Sequence, residues 1–511
     1  MKRARPALAG VIAGAVTLGV AELVAGFMVR AGLSSGTPSP VVAVGGAFVD
    51  RTPPWLKNLA VSSFGTHDKA ALFVGIAVVL TALCAVLGAV GATRHTAGLV
   101  GFVVLGAVGA AAVLSRPHAA PLDVLPTFAG VLAGLWALNT LWGLNARAEE
   151  AGSGPGGFER RRLLVGGAGL AAVAATAGAL GRAVGGAGSS AAAARAKVAV
   201  PPVANPVTVP ATADLKLPGI TPYVVPNADF YRIDTALVVP QVDTAGWKLR
   251  VHGLVGEEVT ITWDELLAKP MRQALVTLTC VSNEVGGDLA GNAVWTGWPI
   301  RELLAMARPD PTADMVLSTS VDGFTAGTPL TALTDERNAL LAVAMNGEPL
   351  PVEHGFPVRM VVPGLYGYVS ATKWVVDLKV TRFADDAGYW TPRGWSAKGP
   401  VKTESRIDVP RSGDQVRAGR VAVAGVAWAQ HRGIDKVEVR IDDGPWQPAR
   451  LAAEPTIDSW RQWVLEWDAP KGNHRITVRA TDADGQVQTQ QEAPPEPDGA
   501  TGWHSITVTV A

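Results

Sequence analysis

Cys280 is the residue whose type and place first invite chemistry. It ends the strand-like run Leu275-Val276-Thr277-Leu278-Thr279 and enters the turn-rich segment Val281-Ser282-Asn283-Glu284-Val285-Gly286-Gly287-Asp288. A thiol there can act as a nucleophile beside a histidine base or as a soft ligand for a metal. The same pattern also fits a small apolar side chain buried in a core. Spacing alone brings neither His252 nor His354 to the thiol. A second dense stretch runs from Met345 to Gly364, where His354 and Arg359 flank a Gly/Pro turn. That element can present an imidazole and a bidentate guanidinium to an anion.

The elements that must hold these residues belong to a chain of 511 residues, long enough for two or more domains. Lys and Arg number 44 against 44 Asp and Glu, so the net charge is zero and a nucleic-acid-binding surface is not expected. Two cysteines exclude a disulfide-rich scaffold and every multi-cysteine zinc or iron–sulfur pattern. Only 17% of residues are charged and the mean hydropathy is +0.24, which predicts that part of the chain lies in lipid.

Uncharged runs of about twenty residues, the length that crosses a bilayer, occur at 7–29, 70–92, 96–115, 124–146 and 163–181. The third and fifth are rich in Ala and Gly, so the count is four or five. Lys2, Arg3 and Arg5, then Arg94, then Arg147 with Arg160, Arg161 and Arg162 alternate between spans, as one cytoplasmic side requires. Five spans place everything after about residue 190 outside the cytoplasm. Arg160-Arg161-Arg162-Leu163-Leu164 before an apolar run also reads as a twin-arginine export signal. Glu22 and Cys84 within the spans read as structural, and no span centres a histidine for paired haem ligation.

The domain plan is a transmembrane region at 1–184, a flexible Ala/Gly/Ser and Pro/Val linker at 185–212, a mixed α+β domain at 213–400 and an all-β segment at 401–511. Thr262 is the predicted cap of a helix starting at Trp263, and 299–306 a second helix. Strands are expected at 420–428, 436–441, 460–467, 474–480 and 503–510, with a hairpin turn at Asp442-Asp443-Gly444. Their regular spacing suggests an immunoglobulin-like β-sandwich.

Cys280 after Leu278-Thr279, the run Met345 to Gly364, Lys373-Trp374 and Trp460-Arg461-Gln462-Trp463 together resemble the sulfite oxidase family of molybdopterin enzymes. The resemblance spans about 218–510, and its C-terminal part is similar to that family's dimerisation domain, which implies a homodimer. It implies molybdenum held by one molybdopterin dithiolene, with Cys280 as the protein thiolate. By the same pattern Asn227, Phe230, Tyr231, Arg232 and Asp322 line the cofactor and substrate pocket. His354, Arg359, Ala371, Thr372 and Lys373 would hold the pterin and its phosphate, and Arg461 with Arg232 would dock an oxyanion.

Two departures set the chain apart: Val343 stands where sulfite oxidases have a tyrosine, and Val281-Ser282-Asn283-Glu284 replaces an arginine pair after the cysteine. A site lacking that phenol is open to another substrate. The expected function is two-electron oxygen-atom transfer on a small oxyanion or sulfur compound, at a cell membrane, with electrons passed to a separate cytochrome or quinone-linked carrier. The alternatives are an S-oxide or N-oxide reductase of the same superfamily, and a non-catalytic membrane-tethered binding protein.

Overall fold

The computed structural model describes residues 4–34, 37–53, 56, 68–117, 119–150, 157–186 and 190–511. It divides into two compact units, Met1–Ala193 with Ala236–Val239, and Ala194–Thr235 with Pro240–Ala511.

The first unit is helical: α1 (Ala4–Arg30), α2 (Pro40–Arg51), α3 (Asp68–Gly91), α4 (His95–Leu114), α5 (Leu125–Glu150) and α6 (Gly157–Gly186). Among the described residues four helices are long and apolar enough to cross a membrane, within α1, α3, α4 and the 121–147 stretch that includes most of α5. The expected fifth span falls in α6 as a shorter apolar helix, Val165–Gly181. α6 packs along α1, and a Cβ at Gly181 would collide with the Glu22 carbonyl, so glycine is what lets the two backbones meet. The loop expected between the first two spans contains α2, started by Ser39, whose hydroxyl accepts the Val42 N–H (3.3 Å). The side chains of Arg160, Arg161 and Arg162, and Lys2, Arg3 and Lys57 altogether, lie outside the described residues.

The expected tether is partly structured. Residues 190–195 form helix α7, and Arg195 donates to the carbonyls of Pro349 (2.9 Å) and Leu350 (2.9 Å). Val198 and Val203 then pack on the domain core. An extended Pro/Val segment buries apolar surface as readily as it spans space, which composition alone does not distinguish.

Ten strands follow: β1 (Lys248–Gly253), β2 (Val259–Thr262), β3 (Arg272–Thr279), β4 (Ala290–Pro299), β5 (Met315–Ser320), β6 (Thr325–Pro329), β7 (Leu340–Met345), β8 (Glu348–Pro349), β9 (Arg359–Val361) and β10 (Val375–Thr381). They form two sheets, β2-β1-β10-β5-β6 and β3-β4-β7-β8 with β9 beside β7. A shared core of Trp247, Trp298, Leu303, Leu341, Met360 and their neighbours joins them. Val343 is 1% exposed within that core. Helix α8 (Trp263–Leu267) starts at the predicted cap: the Glu265 carboxylate accepts the Thr262 N–H (2.8 Å), and the Thr262 hydroxyl accepts the Glu265 N–H (3.4 Å). The second expected helix is α9 (Ile300–Ala307).

Beyond residue 400 lie β11 (Glu404–Val409), β12 (Gln415–Val416), β13 (Gly419–Trp428), β14 (Ile434–Ile441), β15 (Gln447–Pro448), β16 (Arg450–Leu451), β17 (Arg461–Ala469), β18 (Gly472–Asp482) and β19 (Ser505–Val510). Two sheets, β11-β13-β17-β16 and β12-β19-β18-β14-β15, enclose one core around Val423, Trp463 and Val478. This sandwich grips β3 just before Cys280. Gln430 Nε2 donates to Thr277 O (2.9 Å) and Thr279 Oγ1 (2.8 Å), and the Trp460 N–H donates to Thr277 Oγ1 (2.8 Å). Gln430→Ala should therefore cost about 1–3 kcal/mol in chemical denaturation, because it orphans two buried acceptors; a loss below about 0.5 kcal/mol would show the contact to be idle.

Candidate functional site

One cavity in the second unit collects most of the residues singled out from the sequence. It opens to solvent and has a cavity volume of about 150 Å³, and its lining includes Phe230, Tyr231, Cys280, His354, Arg359 and Lys373. Asp322 and Ala371 line it as well.

Cys280 is 9% exposed at the end of β3. Its N–H donates to Leu289 O (2.9 Å), its carbonyl accepts the Asn283 N–H (3.1 Å), and Asn283 Oδ1 accepts the Leu289 N–H (2.8 Å). The backbone thus closes the loop and leaves the sulfur to the cavity. Burial pushes the thiol pKa up, opposed by hydrogen bonds from the Ser282 N–H and hydroxyl.

Phe230 lies across β4, where a Cβ at Gly291 would strike its ring; only glycine leaves that room. The ring stands edge-on to Trp295 (5.7 Å) and His354 (5.6 Å) and stacks on Tyr231 (5.2 Å). Burial first, and then the neighbouring Cys280, push the Tyr231 phenol far up, so it keeps its proton. Asn346, in the turn after β7, donates to Val225 O (2.8 Å) and Asn227 Oδ1 (2.9 Å), tying the Phe230 segment to the sheet. The Asn227 carbonyl in turn accepts His354 Nε2 (3.1 Å).

Arg359, on β9, is 6% exposed. It donates to the carbonyls of Met360 (3.4 Å) and His354 (3.2 Å), and its guanidinium lies 4.9 Å from the Trp295 ring. Burial pushes its pKa down to about 10. Lys373 pairs with Asp234 (2.7 Å) and donates to Glu353 O (3.1 Å), and burial holds it down to about 8. His354 is pushed down to about 4, by burial first and Arg359 second. Protein freed of any ligand should therefore lose up to about 3 kcal/mol as pH falls from 6.5 toward about 4. The unfolded imidazole takes its proton at the upper value while the folded one resists until the lower. Urea midpoints measured across that window should keep their pH slope unless His354→Gln removes it.

Four expected residues stand apart from the lining: Asn227, which reaches it only through His354, and Arg232, Arg461 and Thr372. Arg232 is 40% exposed and pairs with Asp234 (3.0 Å). Arg461, on β17, donates to Ala452 O (2.8 Å) and Ile434 O (2.8 Å) within the sandwich. A flexible guanidinium takes the carbonyls nearest to it, which sequence position does not reveal. Thr372 is fully buried and its hydroxyl meets Ser318 Oγ (2.7 Å). Sequence reasoning missed Ser320, whose buried hydroxyl has no hydrogen-bond partner, and the lining rings of Phe324, Tyr368, Trp390 and Trp395. Only the clustering of aromatics at 389–395 hinted at the last two.

The family model described as oxidoreductase molybdopterin binding domain matches residues 236–390. Human mitochondrial sulfite oxidase is 30% identical over 321 residues, 53% of this chain and 58% of that one. The oxidoreductase YuiH of Bacillus subtilis (strain 168) is 33% identical over 157 residues, 31% of this chain and 76% of its own. The chain spans about three fifths of the length of mitochondrial sulfite oxidases, 62% for that of Macaca fascicularis. The sulfane dehydrogenase SoxCD from Paracoccus pantotrophus shares the fold, with TM-score 0.50 and 21% identity over 61% of this chain and 90% of that one. With a thiol, an imidazole and a buried guanidinium gathered in one cavity of that fold, the chain belongs to the sulfite oxidase family of molybdopterin-binding oxidoreductases.

Proposed function

We propose that this protein is a membrane-anchored molybdenum-cofactor enzyme that carries out two-electron oxygen-atom transfer on a sulfur compound and exchanges electrons with a separate carrier. The observation that carries the reading is a buried thiol and a buried guanidinium lining one cavity, with the guanidinium hydrogen-bonded to the backbone carbonyls of Met360 and His354. Burying such a charge is costly unless an anion joins it. The orphaned Ser320 hydroxyl in the same wall also calls for a polar guest. Both fit a phosphate-bearing pterin, and a single soft thiolate fits molybdenum.

Cys280 would ligate the metal, while Arg359, Lys373, His354 and the Ala371 backbone would hold the pterin and its phosphate. Asn227 orients His354, and Thr372 steadies β9 by accepting the Met360 N–H at its carbonyl (2.9 Å). Tyr231 keeps its proton at Oη, and Phe230 excludes water beside it. The bound group supplies the oxygen-atom transfer chemistry. With Arg232 held by the lining carboxylate of Asp234 and Arg461 by carbonyls of the sandwich, the cations that line the cavity are Arg359 and Lys373.

The apolar helices support a membrane anchor, and the packing of α6 on α1 supports a fifth crossing that would put residues 190–511 outside the cytoplasm. The basic run before that crossing suits twin-arginine export of a domain folded around its cofactor. The two-sheet architecture after residue 400 supports an immunoglobulin-like domain that pairs two copies. Elemental and pterin analysis of the whole chain purified in detergent should give about one molybdenum and one pterin per chain, the occupancy one thiolate ligand implies. Protein lacking both after expression in a cofactor-competent host would overturn the reading.

A further inference from the structure

We infer that the cavity selects an uncharged organosulfur substrate bearing a flat apolar group, a thioether or its S-oxide, over a small inorganic oxyanion. This rests on the molybdenum reading above and adds the substrate class. One wall of the cavity belongs to a continuous chain of rings. Phe324 meets Tyr389 (5.9 Å), Tyr389 meets Trp390 (5.1 Å), Trp390 meets Trp395 (6.2 Å) and Trp395 meets Tyr368 (5.9 Å). Its Tyr368 end shares the cavity lining with Cys280 and follows Gly367, where an added Cβ would lie 3.9 Å from the Thr279 carbonyl. Trp390 and Trp395 are half-buried, and Ile233 is 49% exposed in the same lining. The Tyr368 hydroxyl is spent on Ser396 O (2.7 Å), leaving the wall its ring.

Charge points the same way. The lining carries two carboxylates, Asp234 and Asp322, against two cations, Arg359 and Lys373. An anionic cofactor would consume both cations and leave none for a dianion. Of the two guanidinium groups that could have supplied one, Arg232 is spent on the lining carboxylate of Asp234 (3.0 Å) and Arg461 on Ile434 O (2.8 Å) in the sandwich. A planar apolar substituent stacked on Trp390 and Trp395 would gain contact and release water instead. The couple is R–S(=O)–R′ + 2 H⁺ + 2 e⁻ ⇌ R–S–R′ + H₂O. In reduction the S–O bond breaks, the oxygen leaves as water and sulfur gains the electron pair. The electrons come from a one-electron carrier, here reduced benzyl viologen.

The test uses the full chain in detergent, with molybdenum content measured first. In calorimetry, methyl phenyl sulfone, which is not turned over, should bind about tenfold tighter than dimethyl sulfone, and sulfate should give no heat. Trp395→Ala should erase that preference at unchanged molybdenum content, and Trp395→Phe should keep most of it. In viologen-linked assays kcat/KM for methyl phenyl sulfoxide should exceed that for dimethyl sulfoxide by a similar factor. Molybdenum-replete protein that binds sulfate in preference, or oxidises sulfite with the higher kcat/KM, overturns the inference and leaves the cofactor reading standing. Metal-free protein that still prefers the phenyl sulfone upholds the inference and overturns that reading.

Discussion

Cys280→Ser is expected to yield a folded protein without molybdenum whose turnover has fallen on the order of 10³-fold, the scale of losing a group that acts at the reacting centre. The reason lies in what holds the loop. The Cys280 N–H and carbonyl are fastened to Leu289 and Asn283, and Asn283 closes the turn through its own side chain. None of this uses sulfur, and serine fits the same space, so the melting temperature should move by less than about 4 °C, the shift of roughly 1 kcal/mol. What changes is the donor. A buried thiol whose pKa burial raises still yields its proton to a metal, whereas a hydroxyl is harder and far less acidic. Elemental analysis, turnover and thermal melting on one preparation separate the outcomes. Full metal content in the variant would remove Cys280 from the ligand role, and collapse of the fold would make it a core residue.

Arg359→Met should move stability and function in opposite directions. The guanidinium is 6% exposed, donates to the backbone carbonyls of Met360 and His354 and has its pKa pushed down to about 10 by burial. In protein without cofactor that charge is a cost, so an apolar side chain of similar length should raise the melting temperature by roughly 2–4 °C. Losing the bonds to Met360 O and His354 O offsets part of the gain. In the presence of cofactor the sign reverses, because removing one partner of a buried charge pair costs about 2–5 kcal/mol, which weakens retention by roughly 30-fold or more. Reconstitution titrations and paired melts of the cofactor-free and loaded forms read both effects. A variant less stable without cofactor yet equally able to retain it would make Arg359 a structural residue.

Much of the architecture could be read along the chain because its causes are local. The apolar runs within α1, α3, α4 and α5 are written in hydropathy over one span each. The Thr262–Glu265 cap needs only four consecutive residues. Helix α2 and strand β11 escaped notice for the opposite reason. α2 is short and interrupts a loop with prolines around it, and β11 reads Glu-Ser-Arg-Ile-Asp-Val, a strand only because β13 offers it a partner.

By itself the sequence determined the types of group available: a lone thiol at a strand end, an imidazole and a guanidinium around one turn, and a membrane-like first third. Tertiary structure alone decided which of them share a cavity. It turned Arg232 and Arg461 to nearer acceptors, left Arg359 and Ser320 facing the same space as Cys280, and assembled Phe324, Tyr368, Trp390 and Trp395 from separate loops. Backbone propensity and hydropathy act over a few residues, whereas a long side chain settles where desolvation and hydrogen bonding across the whole fold cost least.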